Sequence, residues 1–157
     1  MTGGTFDAAT GDGPPPPGGE AEQRSREVRA AWEGLLQIRR LSGRGDDTRT
    51  LPAEWERRQP VRAVALALEA AKSVPSAVDG SGARVVTGYR VTAGERPGTA
   101  VVEWLGPPGG GAPREQEPAL TGLVAVLERV GWEALLYRGP RGRRFLEVEP
   151  AGPLPPR

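Results

Sequence analysis

Apolar residues recur along this chain at two spacings, three-to-four and two, and the switches between them predict the order of its elements. From Glu20 to Leu41, the residues Val28, Ala31, Trp32, Leu35 and Ile38 fall three and four apart, with Arg24, Arg26, Glu27, Glu33 and Arg39 mostly off that stripe. This predicts a helix, weakened by about 1 kcal/mol at Gly34. It stops near Ser42-Gly43, with Arg39 and Arg40 in the last turn where they suit the dipole. Gly43–Thr50 reads as a loop, and Leu51–Trp55 as a helical turn with Pro52 in its first position. Pro60 opens a second helix, expected to run to Val74 and to end at Pro75. Its stripe of Val61, Val64, Ala65, Leu68 and Ala71 is widened by Leu66, Ala67 and Ala70, which makes this helix central.

The period then drops to two. In Ala83–Thr92, the residues Val85, Thr87, Tyr89 and Val91 alternate with Val86, Gly88 and Arg90, and Thr99–Leu105 reads as the antiparallel partner across an Ala93–Gly98 turn. Gly106–Arg114 is a glycine-rich loop. A third helix over Pro118–Val130 carries Leu120, Leu123, Val124 and Leu127 at i, i+3, i+4 and i+7, with Gly131 suited to its end. Trp132–Tyr137 and Arg144–Glu149 form a second hairpin, for which Gly139-Pro140-Arg141-Gly142 suits a type I turn.

The expected fold class is therefore α+β. A four-stranded, mainly antiparallel sheet of two β-hairpins carries two helices on one face, plus an N-terminal helix. The expected domain spans residues 20–149, with 20–58 as a helical arm and 60–149 as an α-β-β-α-β-β core. The arm either packs on the sheet or serves dimerisation. Residues 1–19 are mostly Gly, Pro, Thr and Asp, and 150–157 are Pro-rich. Both are expected to be disordered tails, since such segments bury too little apolar surface to offset a backbone cost of about 1–2 kcal/mol per residue.

Composition removes whole classes of chemistry. The 157 residues contain no histidine and no cysteine. Ser-His-Asp and Cys-His catalysis, the usual zinc sites and thiol redox switching are excluded. Gly106–Gly111 lacks the Gly-Lys-Ser/Thr ending of a phosphate loop, and its two prolines remove backbone donors. Asp46-Asp47 and the Glu54/Glu56 pair sit where nothing is expected to bury them, and Glu103 and Glu133 do not form an evident acid–base pair. No metal-ligand spacing is visible, and the sequence leaves an all-carboxylate Mg²⁺ site open. The chain reads as a non-enzyme without a cofactor.

Lys+Arg is 21 against Asp+Glu 20, so no global field draws the protein to nucleic acid or an acidic membrane. Lys72 is the only lysine. Arginine is the cation for bidentate contacts, although GC-rich codon usage produces the same bias. No apolar run reaches the ~20 residues of a membrane helix, and the N-terminus lacks a secretory signal. A cytoplasmic location follows as the expectation. Arg44-Gly45-Asp46, the integrin-ligand tripeptide, is a chance-level match, and Pro153–Arg157 could meet an SH3-like domain only if it formed polyproline II.

The segment Tyr137–Phe145 stands above this background. Pairing Gly139 with Gly142 sets Arg138 opposite Arg143 and Tyr137 opposite Arg144; the like-charged pair would be relieved by an anion, and Tyr137 would carry a cation over its ring. The candidate partner-binding residues are Tyr137, Arg138, Arg141, Arg143 and Arg144, with Trp104 as a groove lip beside the glycine loop. Trp32 and Trp132 are expected in the core. Together these features point to a small regulatory or accessory protein that binds another protein or itself. The alternative is a nucleic-acid binder using the 138–144 hairpin.

Overall fold

Two β-hairpins join through their second strands to make one antiparallel sheet. The computed structural model describes residues 6–15, 19–42 and 51–152. The first hairpin is β3 (Gly88–Ala93) with β4 (Ala100–Leu105), and the second is β5 (Trp132–Arg138) with β6 (Arg144–Pro150). The order across the sheet is β3-β4-β6-β5. β4 and β6 are central, and their registers set Val102 beside Leu146 and Ala100 beside Val148. α3 (Pro60–Ala70) and α4 (Ala112–Arg129) cover one face, and α1 (Ala21–Ser42) packs on α3. The fold is α+β, as the alternation of periods implies.

Side chains alternate across a strand, so the registers sort the sheet into two faces. Tyr89, Val91, Val102, Leu146, Val148, Trp132 and Ala134 point at the helices and are buried with Leu68, Leu120, Leu123 and Leu127. Each large aliphatic among them contributes about 1.5–3 kcal/mol on burial before entropy. Arg90, Val101, Glu103, Leu135, Tyr137, Phe145, Glu147 and Glu149 fall on the other face, which carries no helix. A second cluster, of Val28, Leu35 and Leu66 with Trp32 and Trp55 against it, holds α1 to the body. Within the expected arm, α1 thus packs on α3.

Several boundaries differ from the periodicity for identifiable reasons. α2 (Glu54–Arg58) starts after Ala53, two residues beyond Pro52. α3 stops at Ala70, four residues before the expected Val74, because Lys72 takes a left-handed φ of 67°. α4 begins at Ala112, six residues before Pro118; Pro113 occupies its first turn and Pro118 lies inside it. The expected strand over 83–92 is two strands. β2 (Arg84–Val86) turns away to pair with β1 (Ala77–Val78), which lies between the expected helix end at Pro75 and the expected strand, and Val85 is exposed. The break falls at Thr87-Gly88, where the backbone of Val74–Ser76 packs directly on Gly88. There Tyr89 N–H donates to Val74 O at 3.0 Å and Ser76 N–H to Tyr89 O at 2.9 Å.

Part of the glycine-rich stretch before α1 contacts the folded body. Composition alone leaves residues 6–15 structureless, yet their backbone is bonded to α1, α3 and the outer edge of β3. The gain comes from main-chain hydrogen bonding, which composition does not register. At the other end β6 includes Pro150, and Ala151 N–H donates to Gly131 O at 2.9 Å. The calls on Arg44-Gly45-Asp46 and on Pro153–Arg157, and the remainder of both tails, lie outside the described residues.

Candidate functional site

The hairpin between β5 and β6 is shifted by one residue from the expected pairing. Arg141 (φ 60°, ψ 31°) and Gly142 (φ 74°) are both left-handed, and Arg143 N–H returns to Pro140 O at 3.1 Å. That is a type I′ turn, whose twist matches the flanking strands, in place of the type I turn expected from Pro140. Gly139 N–H accordingly donates to Arg143 O at 2.6 Å, and the register becomes Arg138 opposite Arg144 and Tyr137 opposite Phe145.

This one-residue change redistributes the arginines. Arg143 leaves the tip, donates through Nε to Glu103 Oε2 at 2.8 Å and stands over the Phe145 ring at 4.9 Å. Arg144 lies on the helix side, 3.3 Å from Glu117, and its N–H is accepted by Gln116 Oε1 at 3.0 Å. Among the described residues only Arg138 and Arg141 of the four remain without a partner. Tyr137 lies on the open face and stacks on Phe145, with centroids 5.8 Å apart and planes at 23°. Trp104, the expected groove lip, is half-buried against the core, with Nε1 3.5 Å from Glu115 of α4. The six sequence candidates are therefore not brought together as one anion-binding cluster.

Glu103, passed over in the sequence, is the centre of the open face near this turn. It is buried between Arg90, its cross-strand neighbour, and Arg143. Burial pushes its carboxyl pKa up; hydrogen bonds from Arg90 and Arg143, and then their charges, outweigh that and hold it below the usual carboxylate range. Glu103 is thus a structural anion at neutral pH. A second missed pair is deeper. Glu56, at 0% exposure, accepts from Arg39 Nε and Nη2 at 2.8 and 2.7 Å and from Ala53 N–H at 2.9 Å, while Arg39 also donates to Val130 O at 2.8 Å. The Glu54/Glu56 turn expected to be exposed is therefore split, with Glu54 outside and Glu56 inside. Spacing within one short segment gave no signal of a partner on α1.

What the strands do leave uncovered is an apolar strip. Leu135 and Tyr137 are 58% and 42% exposed on the open face of β5, the sheet's last strand, with Phe145 beside Tyr137, while Leu136, opposite Leu146 on the helix side, is 37% exposed. The bonds Ala151 N–H to Gly131 O and Gly139 N–H to Arg143 O flank the β5–β6 ladder. Alternate residues carry the ladder bonds, so the odd residues of β5 bond β6 and the even ones aim N–H and C=O outward. Trp132 and Ala134 are buried, which limits the accessible edge to Leu135–Arg138. Glu133, Glu147 and Glu149 border this strip on the open face, with Arg96 3.4 Å from each of the last two.

Among the described residues no three carboxylates converge on a point where a metal ion would be held, and no helix is long and apolar enough to cross a membrane. No known protein family, characterised protein or solved structure matches this chain.

Proposed function

We propose that this protein is a non-catalytic binding protein, cytoplasmic and regulatory or accessory in role, that engages a protein partner through the β5 edge and the adjoining open face. The observation that supports the reading is the run Leu135-Leu136-Tyr137, exposed on an edge strand. Edge strands are normally blunted by charge, proline, a bulge or a cover, because their unpaired backbone recruits other strands. Here a regular seven-residue strand keeps its apolar side chains and outward N–H and C=O groups together over 135–138. Such an edge suits an added strand, with main-chain bonds giving affinity and alternate side chains giving specificity.

Leu135→Lys and Leu41→Lys chains test this, the second altering an exposed leucine on α1. A partner recovered on the wild-type chain and then titrated by calorimetry should bind Leu135→Lys at least tenfold more weakly, about 1.4 kcal/mol, and Leu41→Lys unchanged. Equal affinities would remove β5 as the interface. Should the wild-type chain itself prove dimeric by light scattering, Leu135→Lys should yield monomer.

A further inference from the structure

Residues 6–15 lie at the opposite edge of the sheet from β5, held by donors spaced along the folded body. The carbonyls of Phe6 and Asp7 accept from Arg62 at 3.3 Å and Arg24 at 2.9 Å. Ala9 O accepts from the Tyr89 hydroxyl at 2.9 Å and Thr10 O from Val91 N–H at 2.7 Å. Gly11 O accepts from Arg84 at 2.7 Å and Gly13 O from Val78 N–H at 2.9 Å. Ala9 N–H in turn donates to Glu69 Oε1 at 2.9 Å. These groups come from α1, α3, β1, β2 and β3, so the site is built by the tertiary fold and not by the segment it holds.

Side-chain identity is read most closely at Phe6, Gly11 and Asp12. The Phe6 ring lies 4.5 Å from the Arg24 guanidinium. Asp12 Oδ1 is 2.8 Å from Arg84 and 3.9 Å from Arg90. Gly11 has φ +102°, and a Cβ there would stand 2.3 Å from Tyr89 O and 2.7 Å from Arg90 Cα. Ala8 packs on the main core of sheet, α3 and α4 residues, and Phe6 and Ala8 pack on the cluster of Val28, Leu35 and Leu66. Beyond those two side chains the segment is held by hydrogen bonds, whose net gain roughly offsets its ordering cost.

We infer that this groove is a binding site for an extended peptide of a partner protein carrying an aromatic residue five positions before a Gly-Asp pair, and that residues 6–15 occupy it as an internal competitor. The recognition chemistry is that of strand addition: carbonyl-rich backbone on a row of donors, a glycine where no Cβ fits, and a carboxylate between Arg84 and Arg90.

The probe is a fluorescein-labelled peptide of residues 5–15, titrated by anisotropy into full-length chains. Gly11→Ala, which drives the internal segment out, should bind it at least tenfold more tightly than wild type. Probes with Ala for the glycine matching Gly11, or Asn for the aspartate matching Asp12, should lose at least tenfold on that chain. A folded Gly11→Ala chain that ignores the probe, or does not discriminate the altered probes, overturns the proposal. Asp12→Ala, which removes two ion pairs without a clash, should also raise probe affinity above wild type; no rise overturns it. In the wild-type chain the amides of Val78 and Val91 should exchange hydrogen well before that of Val102, and equal protection would make the segment a fixed part of the fold. A wild-type dimer dissolved by Gly11→Ala would assign the groove to a second copy and overturn the partner-peptide reading. Leu135→Lys leaves probe binding unchanged, which separates this site from the β5 edge.

Discussion

Arg143 Nη2 lies 2.6 Å from Glu103 Oε2, although 40 residues separate the two in sequence. The pair turns an arginine of the hairpin turn down onto the open face, and with Arg90 it encloses a buried carboxylate between two guanidinium groups. The turn thus commits part of its positive charge to a carboxylate of the sheet.

Acid should act on the fold through Glu103. Its folded pKa lies below the ordinary value, so its stabilisation is fully present above the unfolded value of about 4.3 and lost as pH falls through the folded one. Urea midpoints measured from pH 7 to pH 3 should fall in that window. Glu103→Gln should be less stable at pH 7, where Arg90 and Arg143 lose their counter-charge, and should show a flatter acid limb. Parallel curves for the two chains would remove Glu103 from the acid response.

Breaking the Arg39–Glu56 pair should be severe. Arg39→Ala leaves a fully buried carboxylate without its bidentate partner and should cost about 3–5 kcal/mol in urea denaturation. The double change Arg39→Met with Glu56→Leu should recover most of that, since apolar groups of similar volume need no counter-charge. A double mutant no better than the single would mean that the charges themselves set the packing of α1 against α2.

Two glycines should respond in opposite directions. A Cβ at Gly88 would stand 2.2 Å from Val74 O and 2.5 Å from the Pro75 carbonyl carbon, both backbone atoms. Gly88→Ala should therefore cost at least the ~1–3 kcal/mol of ordinary overpacking. Gly122 is exposed within α4 with nothing within 4 Å of its Cβ position, and Gly122→Ala should stabilise by about 0.5–1 kcal/mol. Thermal melts of both chains check the pair.

The turn arginines give a numerical test of nucleic-acid binding. Four engaged arginines would produce a log–log salt slope near −4, at about −0.9 per phosphate. With Arg143 on Glu103 and Arg144 near Glu117, Arg138 and Arg141 alone support a slope no steeper than about −2. Anisotropy on a short duplex between 50 and 200 mM salt, conditions on the scale over which such slopes are resolved, distinguishes the two. A slope near −4 would require both arginines to leave their carboxylates.

The sequence by itself determined the type of the main elements and the fold class. Leu120, Leu123 and Leu127 announce α4 because a helix returns to one face every three to four residues, and Tyr89 and Val91 announce β3 because a strand does so every two. Element type is a local property of side-chain spacing, and so is the absence of histidine and cysteine chemistry. Register is not local: the type I′ turn at Arg141-Gly142 moved Arg138 opposite Arg144 and sent Arg143 toward Glu103, and no spacing along β5 or β6 encodes that choice. Nor does composition show that residues 6–15 are held, because their partners are backbone donors and arginines brought from α1, α3 and three strands. Only the tertiary structure decided which charges are buried in pairs, which edge stays open and which is filled. Those outcomes depend on contacts between residues tens of positions apart, whose free energy appears only after the chain has closed on itself.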